Sequence, residues 1–527
     1  MYVKSHSAKR QLLALVVLLT VVSLVAGCAS IQPTPVAEPP ATGTEEKPTG
    51  EAKYVFLFIG DGMGVAQRNA AEVYLSNITD SKRPEDVRLV MNSLPAQGMN
   101  TTYDLTSVIP DSASTATAIS TGYKTSSGTI CMDPDHTRKY TTIAEVAKSK
   151  GWKVGIISSV SIDHATPAAF YAHQPSRNNY YEISMELANS NFDYFGGGAP
   201  RYPAGKNKDQ PSAIEAAKAN GYTVVNTKAD FGRLNANSGK VWAITPYPRD
   251  SDALYYDIDR PADDISLAEY VKKGIELLDN PNGFFLMCEG GKIDWACHAN
   301  DAASAIWDTL AFDAAVLEAK RFYDQHPDET LIVVTGDHEC GGMTIGFAGT
   351  QYSTFFDKLR FQRMSYVEFD AKLAAYKKTH SAETAKFVEI RPLIEQAFGL
   401  VILSPEETAD LEAKAEAGDQ AARDRLGLAL SQLEVDTLVE AFEQSMLDKE
   451  LRASNDYTYL LYGGYEPLTV SCTHILNQKA GISWTSFSHT GVPVQTSAIG
   501  PGSEALAGYY DQPDIYRAMA AATGLAM

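Results

Sequence analysis

The chain has 527 residues, with 45 Lys and Arg against 65 Asp and Glu, and a formal net charge of −20 at neutral pH. That balance argues against a nucleic-acid binder, whose phosphate contacts need basic patches. Hydrophobic residues make up 44% and aromatics 10%, which excludes low-complexity disorder for most of the chain and supplies material for one large α/β domain or two ordinary ones.

The N-terminus reads as a processing signal. Lys4, Lys9 and Arg10 precede an apolar or small run from Leu12 to Gly27. The run is shorter than the roughly 20 apolar residues of a membrane span and suits a signal-peptide core. Leu24-Val25-Ala26-Gly27-Cys28 looks like a bacterial lipobox, which implies a lipoprotein signal peptide over 1–27, cleavage before Cys28 and acylation of that thiol. The expected address is the cell envelope, lipid-anchored and facing the periplasm or exterior; an uncleaved anchor gives the same address. Loss of residues 1–27 removes three basic side chains and no acid, taking the formal charge from −20 to −23. Residues 28–52 hold Pro33, Pro35, Pro39, Pro40 and Pro48 without apolar periodicity and read as a solvated tether. Cys131, Cys288, Cys297, Cys340 and Cys472 would remain, an odd set that leaves at least one thiol free.

From residue 53 onward, short apolar runs alternate with helical stretches. This is the signature of an α/β fold with a mostly parallel central sheet flanked by helices on both faces, a three-layer α/β/α arrangement. In chain order the clearest strands are 54–59, 153–158, 284–288 and 331–335. Each runs into chemically loaded residues: Asp61, the 162–166 segment, Glu289 with Asp294, and Asp337-His338. Ligands of such sheets collect at the carboxyl ends of strands, so four strands delivering acids and imidazoles there point to one shared site. Residues 355–450 break the alternation and read as a helical insertion with a charged, solvated surface. Within it, Ser404-Pro405-Glu406-Glu407 has the form of a capping box with proline at the first helical position.

Taken singly, the motifs divide between ordinary and chemical readings. Gly60-Asp61-Gly62 is by itself a turn, or a corner that presents a carboxylate to cations. Asp111-Ser112 starts a small-residue helix running toward Gly122. It is either a plain N-cap or a serine nucleophile favoured by the helix N-terminus and a metal. Asp294 and His298 stand four apart and share one helix face, as two ligands of one ion would; Cys297 points off that face. Buried strands rarely end in ionisable runs such as Asp337-His338-Glu339 without a compensating partner. As a set, Asp61, Ser112, Thr166, Glu289, Asp294, His298, Asp337, His338 and His489, with Arg177 near Thr166 in sequence, combine hard oxygen ligands, imidazoles, a nucleophile and a planar cation. Mixed Asp/His sets suit zinc and all-oxygen sets suit magnesium, and a serine facing two ions fits phosphoryl transfer.

The chain resembles the bacterial alkaline phosphatases, in a lipoprotein form, from about Lys53 to the C-terminus apart from the insertion. The motifs that carry the resemblance are FIGDGMG (58–64), DSASTATAISTGYKT (111–125), HATPAAFYAHQPSRNNY (164–180), EGGKIDWACHAND (289–301), TGDHECGG (335–342) and SHTGVPV (488–494). The resemblance implies metal-dependent hydrolysis of phosphate monoesters through a phosphoserine at Ser112, with Arg177 gripping the phosphate. It further implies two Zn2+, one on Asp294, His298 and His489 and one on Asp61, Asp337 and His338, and one Mg2+ on Asp61, Thr166 and Glu289. His164 and Trp295 depart from the best-known bacterial form of the family and stand where neighbours tune the magnesium site and hold phosphate through water. Three divalent ions, four carboxylates and Arg177 leave a charge of +3, which a serine alkoxide and a phosphomonoester dianion cancel.

Of the alternative readings, one is a near relative and one differs in class. A phosphodiesterase of the same superfamily would generally lack the Thr166 and Glu289 arm. A lipid-anchored phosphate or metal receptor would gain nothing from an activated serine. The expected partners are a phosphate monoester and, through Cys28 only, a membrane, with no nucleic acid; a homodimer is left open.

Overall fold

The computed structural model describes residues 51–79 and 86–525. The signal-peptide and Cys28 readings, and nearly all of the tether, lie outside the described residues. Among the described residues no helix is long and apolar enough to cross a membrane.

Ten strands form one sheet: β1 (Tyr54–Gly60), β2 (Ala96–Thr101), β3 (Lys153–Ser158), β4 (Tyr194–Gly197), β5 (Tyr222–Val225), β6 (Lys240–Ile244), β7 (Phe284–Glu289), β8 (Thr330–Gly336), β9 (Val494–Ile499) and β10 (Gly508–Asp511). Their order across the sheet is β10-β2-β9-β8-β1-β7-β3-β4-β6-β5. All neighbours pair parallel except those of β9, which runs antiparallel to both β8 and β2. The helices include α1 (Val65–Ile78), α2 (Ser112–Thr121), α3 (Ile143–Ser149), α4 (Tyr180–Asn189), α5 (Leu267–Leu278), α6 (Lys292–His298), α7 (Ala302–Tyr323), α8 (Tyr366–Lys377), α9 (Pro405–Glu416), α10 (Pro467–Ala480) and α11 (Pro513–Thr523).

The period-2 geometry of β1 sorts its side chains into two cores. Tyr54, Phe56 and Phe58 face one core, with Phe284, Leu286, Ile332 and Val334 and the helices α1, α5, α7 and α10. Val55, Leu57 and Ile59 face the other, with Phe285, Met287, Leu331 and Val333 and the helices α2, α3, α4 and α11. Every residue of β1 is buried, because helices cover both faces of a central parallel strand. At roughly 1.5–3 kcal/mol for each fully buried large apolar side chain, β1 and its neighbours form the most firmly held part of the fold.

The helical stretch that begins at Phe356 adds Phe356, Leu359, Phe369, Ile390, Phe398 and Leu438 to the first core. Its helix α9 carries the reciprocal Ser404 and Glu407 capping box with Pro405 in the first turn, and none of its residues is buried. The five described cysteines are free and buried.

His173 couples two helices on the second face. Its ring nitrogens lie 3.4 Å from Glu145 of α3 and 3.5 Å from Glu186 of α4. Burial alone would lower its pKa, but the two carboxylates outweigh it and raise the value to about 9. A cation stabilised in the folded state contributes fully below the unfolded value near 6.5 and is lost as pH rises through about 9. Replacing His173 with Gln is therefore expected to lower stability by on the order of 2 kcal/mol at pH 6 and by little at pH 10. Thermal unfolding of both proteins across that range checks this; parallel pH profiles would contradict it.

Candidate active site

The strand register brings the acids together. Glu289 at the end of β7 lies level with Ile59 of β1 and Ser158 of β3, while Gly60 lies level with Gly336 of β8. Asp61 and Asp337 each follow one residue later. The turn after β1 needs glycine at position 62: its φ is +68°, and a Cβ there would come within 2.8 Å of Asp294 Oδ1. The backbone N–H of Gly62 donates to Asp337 Oδ1 at 3.1 Å, so the two strand ends are tied directly.

Ser112 is the first residue of α2 and is 2% exposed. Its Oγ lies 3.2 Å from His338 Nε2 and 3.4 Å from Asp61 Oδ1. Asp111 caps the helix by accepting from the N–H of Ser114 at 3.1 Å. It also accepts from Arg177 Nη1 at 2.9 Å, so one carboxylate sets both the helix start and the guanidinium. Asp111 is thus an N-cap, and the same helix start puts a serine among candidate metal ligands.

Three donor sets surround the serine. In the first, His298 Nε2 lies 3.4 Å from Asp294 Oδ2 and 3.1 Å from His489 Nε2. The Nδ1 atoms of these two rings face the carbonyls of Phe487 and Pro110 at 2.7 and 2.8 Å. A carbonyl only accepts, so both Nδ1 atoms carry a proton and both Nε2 atoms are turned toward each other and toward Asp294. Against the effect of burial, Asp294 raises the His298 pKa to about 9, so this corner favours positive charge, carried by a proton or by a metal ion. In the second set, His338 Nε2 lies 3.2 Å from Asp61 Oδ1 and 3.3 Å from Asp337 Oδ2, with all three side chains fully buried. In the third, Asp61 and Glu289 lie within ligand reach of each other and of His164. Thr166 follows at the start of the short helix Ala165–Ala168.

Burial and the charge of Asp61 push the Glu289 and Asp337 carboxyls well above the usual range. Burial opposes a charge on His338, yet Asp337 and Asp61 raise its pKa to about 10. Asp61 Oδ2, Thr166 Oγ1, Glu289 Oε1 and Asp294 Oδ1 are buried without any hydrogen-bond partner. Orphaned oxygens of this kind cost several kcal/mol in a dry interior. Hard cations bound by Asp, Glu, Thr and His satisfy them, so the residues present fit divalent metals.

The other sequence-selected positions sit at the rim of this cluster. His164 Nε2 lies 3.3 Å from Arg177 Nη2, and its ring meets Trp295 edge-on at 5.8 Å. Burial and the Arg177 charge lower its pKa to about 4, so the ring is neutral and able to ligate as well as to tune. Cys340 also falls within ligand reach of the first set. Burial holds its thiol protonated and directs it to the Asp294 carbonyl at 3.6 Å.

A cavity of about 370 Å³ opens onto Ser112, Arg177, His298 and His489, and its wall also includes Asp250, Ser251, Tyr366 and Tyr465. Sequence reasoning missed these four and the second role of Asp111. Only Asp111 carried a local signal, its position next to the serine.

Residues 52–392 match the alkaline phosphatase family profile. The chain is 30% identical over 492 residues to alkaline phosphatase 3 of Bacillus subtilis, covering 90% of each protein. It is 31% identical over 335 residues to the human tissue-nonspecific alkaline phosphatase, covering 55% of this chain and 63% of that isozyme. Among solved structures, the cold-active alkaline phosphatase of the psychrophile Shewanella sp. superposes with a TM-score of 0.67 at 27% identity, over 89% of this chain and 99% of that one. The Thermus thermophilus alkaline phosphatase has the same fold, with a TM-score of 0.71 at 24% identity, over 91% and 93% of the two chains. With that profile, these relatives and a serine set among buried metal-ligand sets, the chain belongs to the alkaline phosphatase family of metal-dependent phosphomonoester hydrolases.

Proposed function

We propose that this chain hydrolyses phosphate monoesters with Ser112 as the nucleophile and Arg177 as the phosphate clamp. The observation that carries the reading is Ser112 Oγ standing 3.2 Å from His338 and 3.4 Å from Asp61 at the first position of a helix.

The ligand chemistry supports zinc in the two histidine-bearing sets, Asp294 with His298 and His489, and Asp61 with Asp337 and His338. It supports magnesium in the set of Asp61, Thr166 and Glu289. Bound there, the ions supply Lewis acidity that lowers the pKa of the serine hydroxyl and stabilises the departing oxygen. The rest is the work of the chain. Asp111 holds Arg177 by Nη1 and His164 faces Nη2, and the N–H donors beyond those two contacts would grip two non-bridging phosphate oxygens. The N-terminal end of α2 contributes its backbone dipole to the developing alkoxide. Ser112 Oγ forms a bond to phosphorus as the ester oxygen leaves and takes up a proton to become the free alcohol. Water then attacks the phosphoserine, regenerates the hydroxyl and releases inorganic phosphate. His164 and Trp295 flank the phosphate end and tune the neighbouring metal set.

The address belongs to the same proposal. The lipobox supports cleavage before Cys28 and an acyl anchor, with residues 28–52 tethering the enzyme to the cell envelope, facing the periplasm or exterior.

Ser112→Ala is expected to lower kcat/KM for an aryl phosphate by at least about a thousandfold while leaving thermal stability near that of the parent. Monoesterase activity that survives the substitution would sink the mechanism. Asp111→Asn keeps the helix cap and weakens the hold on Arg177. It should cost roughly ten- to a hundredfold in kcat/KM, and an unchanged value would mean that Arg177 is positioned without Asp111. Chelation followed by dialysis should abolish turnover, with zinc and magnesium together restoring it; full activity in the metal-free protein would overturn the cofactor reading.

A further inference from the structure

Four residues of the cavity wall take no part in the metal sets or the phosphate clamp. Asp250 and Ser251 come from the loop after β6, Tyr366 opens α8, and Tyr465 lies just before α10. The loop is strained. Asp250, Ser251 and Asp252 have φ of +32°, +58° and +69°, three consecutive non-glycine residues in a region that costs each about 1 kcal/mol or more. Reciprocal backbone hydrogen bonds between Arg249 and Ala253 at 2.9 and 2.7 Å pinch it closed. The Ala199 N–H holds its far side through the Asp252 carbonyl at 2.8 Å. Strain of this kind persists only where the surroundings over-determine the conformation, and it marks places where a side chain has been aimed.

What the strain aims is the Asp250 carboxylate. Its Oδ2 lies 3.1 Å from Lys292 Nζ, a side chain only 1% exposed. Lys292 in turn sits over the Tyr256 ring at 3.7 Å and lies 4.8 Å from that of Trp295. The ion pair is electrically neutral as a unit, so it adds little repulsion toward a phosphate dianion. Asp250 Oδ1 makes no hydrogen bond to the described residues, and the residue lines the cavity. Neutralising Lys292 would not by itself require a left-handed run that brings the carboxylate to the cavity wall.

The aromatic side is equally built. The Tyr366 N–H donates to Asp301 Oδ2 at 2.9 Å, and the preceding Ser365 N–H donates to Asp259 Oδ1 at 2.9 Å. The Tyr256 and Tyr366 hydroxyls meet at 3.2 Å, and the Tyr366 ring meets Tyr465 edge-on at 5.9 Å. The start of α8 and the turn before α10 thus deliver two packed rings to the cavity.

We propose that Asp250, Tyr366 and Tyr465 form a subsite for the alcohol half of the ester. It takes a ring alcohol whose apolar face packs on the tyrosines and whose hydroxyl or amino groups donate to Asp250, the chemistry shared by sugar phosphates and nucleoside monophosphates. The inference rests on the phosphomonoesterase reading above. Neighbouring rings and a charge-paired acceptor are the usual means of recognising such groups, and a site built for a donor rejects an analogue that lacks one.

The test compares glucose 6-phosphate, adenosine 5′-monophosphate and phenyl phosphate, with glycerol phosphate as the ringless reference, in steady-state kinetics for the parent, Asp250→Ala, Asp250→Asn and Tyr465→Ala. In Asp250→Ala, the ratio of kcat/KM for a donor-bearing ester to that for phenyl phosphate should fall about tenfold, mostly through KM, with partial recovery in Asp250→Asn. Tyr465→Ala should lower kcat/KM for all three ring esters about fivefold relative to glycerol phosphate. Loss of the ratio for glucose 6-phosphate alone assigns the subsite to sugars, and loss for adenosine 5′-monophosphate alone assigns it to nucleosides. If Asp250→Ala does not fold, Asp250→Asn and Tyr465→Ala decide. Ratios within twofold of the parent in the folded variants overturn the subsite, even with phosphomonoesterase activity intact. A parent protein that hydrolyses none of these esters instead overturns the underlying reading, and the subsite with it.

Discussion

Asp61, Glu289, Asp294 and Asp337 stand at the ends of neighbouring strands or one helix turn beyond, each at most 4% exposed, with three imidazoles packed among them. Carboxylates so dry and so close cannot all stay ionised without compensating positive charge. The two nearest permanent cations are each engaged, Arg177 with Asp111 and Lys292 with Asp250. Burial and that crowding hold the Glu289 and Asp337 carboxyls well above their usual range and leave several carboxylate oxygens without partners. Divalent ions held by these carboxylates would turn the surplus of negative charge into an excess of positive charge, which suits a phosphate dianion and the oxygen it loses.

Such a site needs a rigid frame, because a carboxylate displaced by even 1 Å no longer completes an ion's coordination. The frame is the middle of the sheet. β1 lies between β7 and β8 and is buried on both faces, so the three strand ends that carry Glu289, Asp61 and Asp337 are held in fixed register. The two flanking layers add the rest from opposite sides. Ser112 arrives on α2, which packs on one core, and Asp294 with His298 arrive on α6, which packs on the other. His489 reaches the same donor set from a two-residue ribbon paired with Cys340, beside His338. Carbonyls of Phe487 and Pro110 then fix which nitrogen of His298 and of His489 faces the donor cluster.

The parts legible from sequence are those where a local pattern and the final environment agree. β1, β3, β7 and β8 announce themselves as near-continuous apolar runs because both of their faces are covered. β2 and β9, with the sequences AQGMNT and VQTSAI, carry no such signature, and the single antiparallel strand was not foreseeable from them. The donor residues were legible because they follow buried strands immediately or share a helix face, as with Asp294 and His298. Asp111 was legible as a cap, but its hold on Arg177 depends on a contact across 66 residues. Asp250, Tyr366 and Tyr465 carried no signal, since nothing in an exposed-looking loop or a charged helical stretch tells which side chain meets a cavity.

By itself the sequence determined the class of fold, the family, and the kinds of atom available to the reaction. Apolar periodicity and residue chemistry are local properties that a chain carries before it folds. Only the tertiary structure decided how those atoms are shared out: which oxygens lie stranded without partners, which imidazole nitrogen faces inward, and which carboxylates are already paired. It also decided that a helical stretch distant in sequence supplies part of the cavity wall. These outcomes depend on distances of about 3 Å between residues hundreds of positions apart, as between His298 and His489, and on burial, which sets the charge each group can bear.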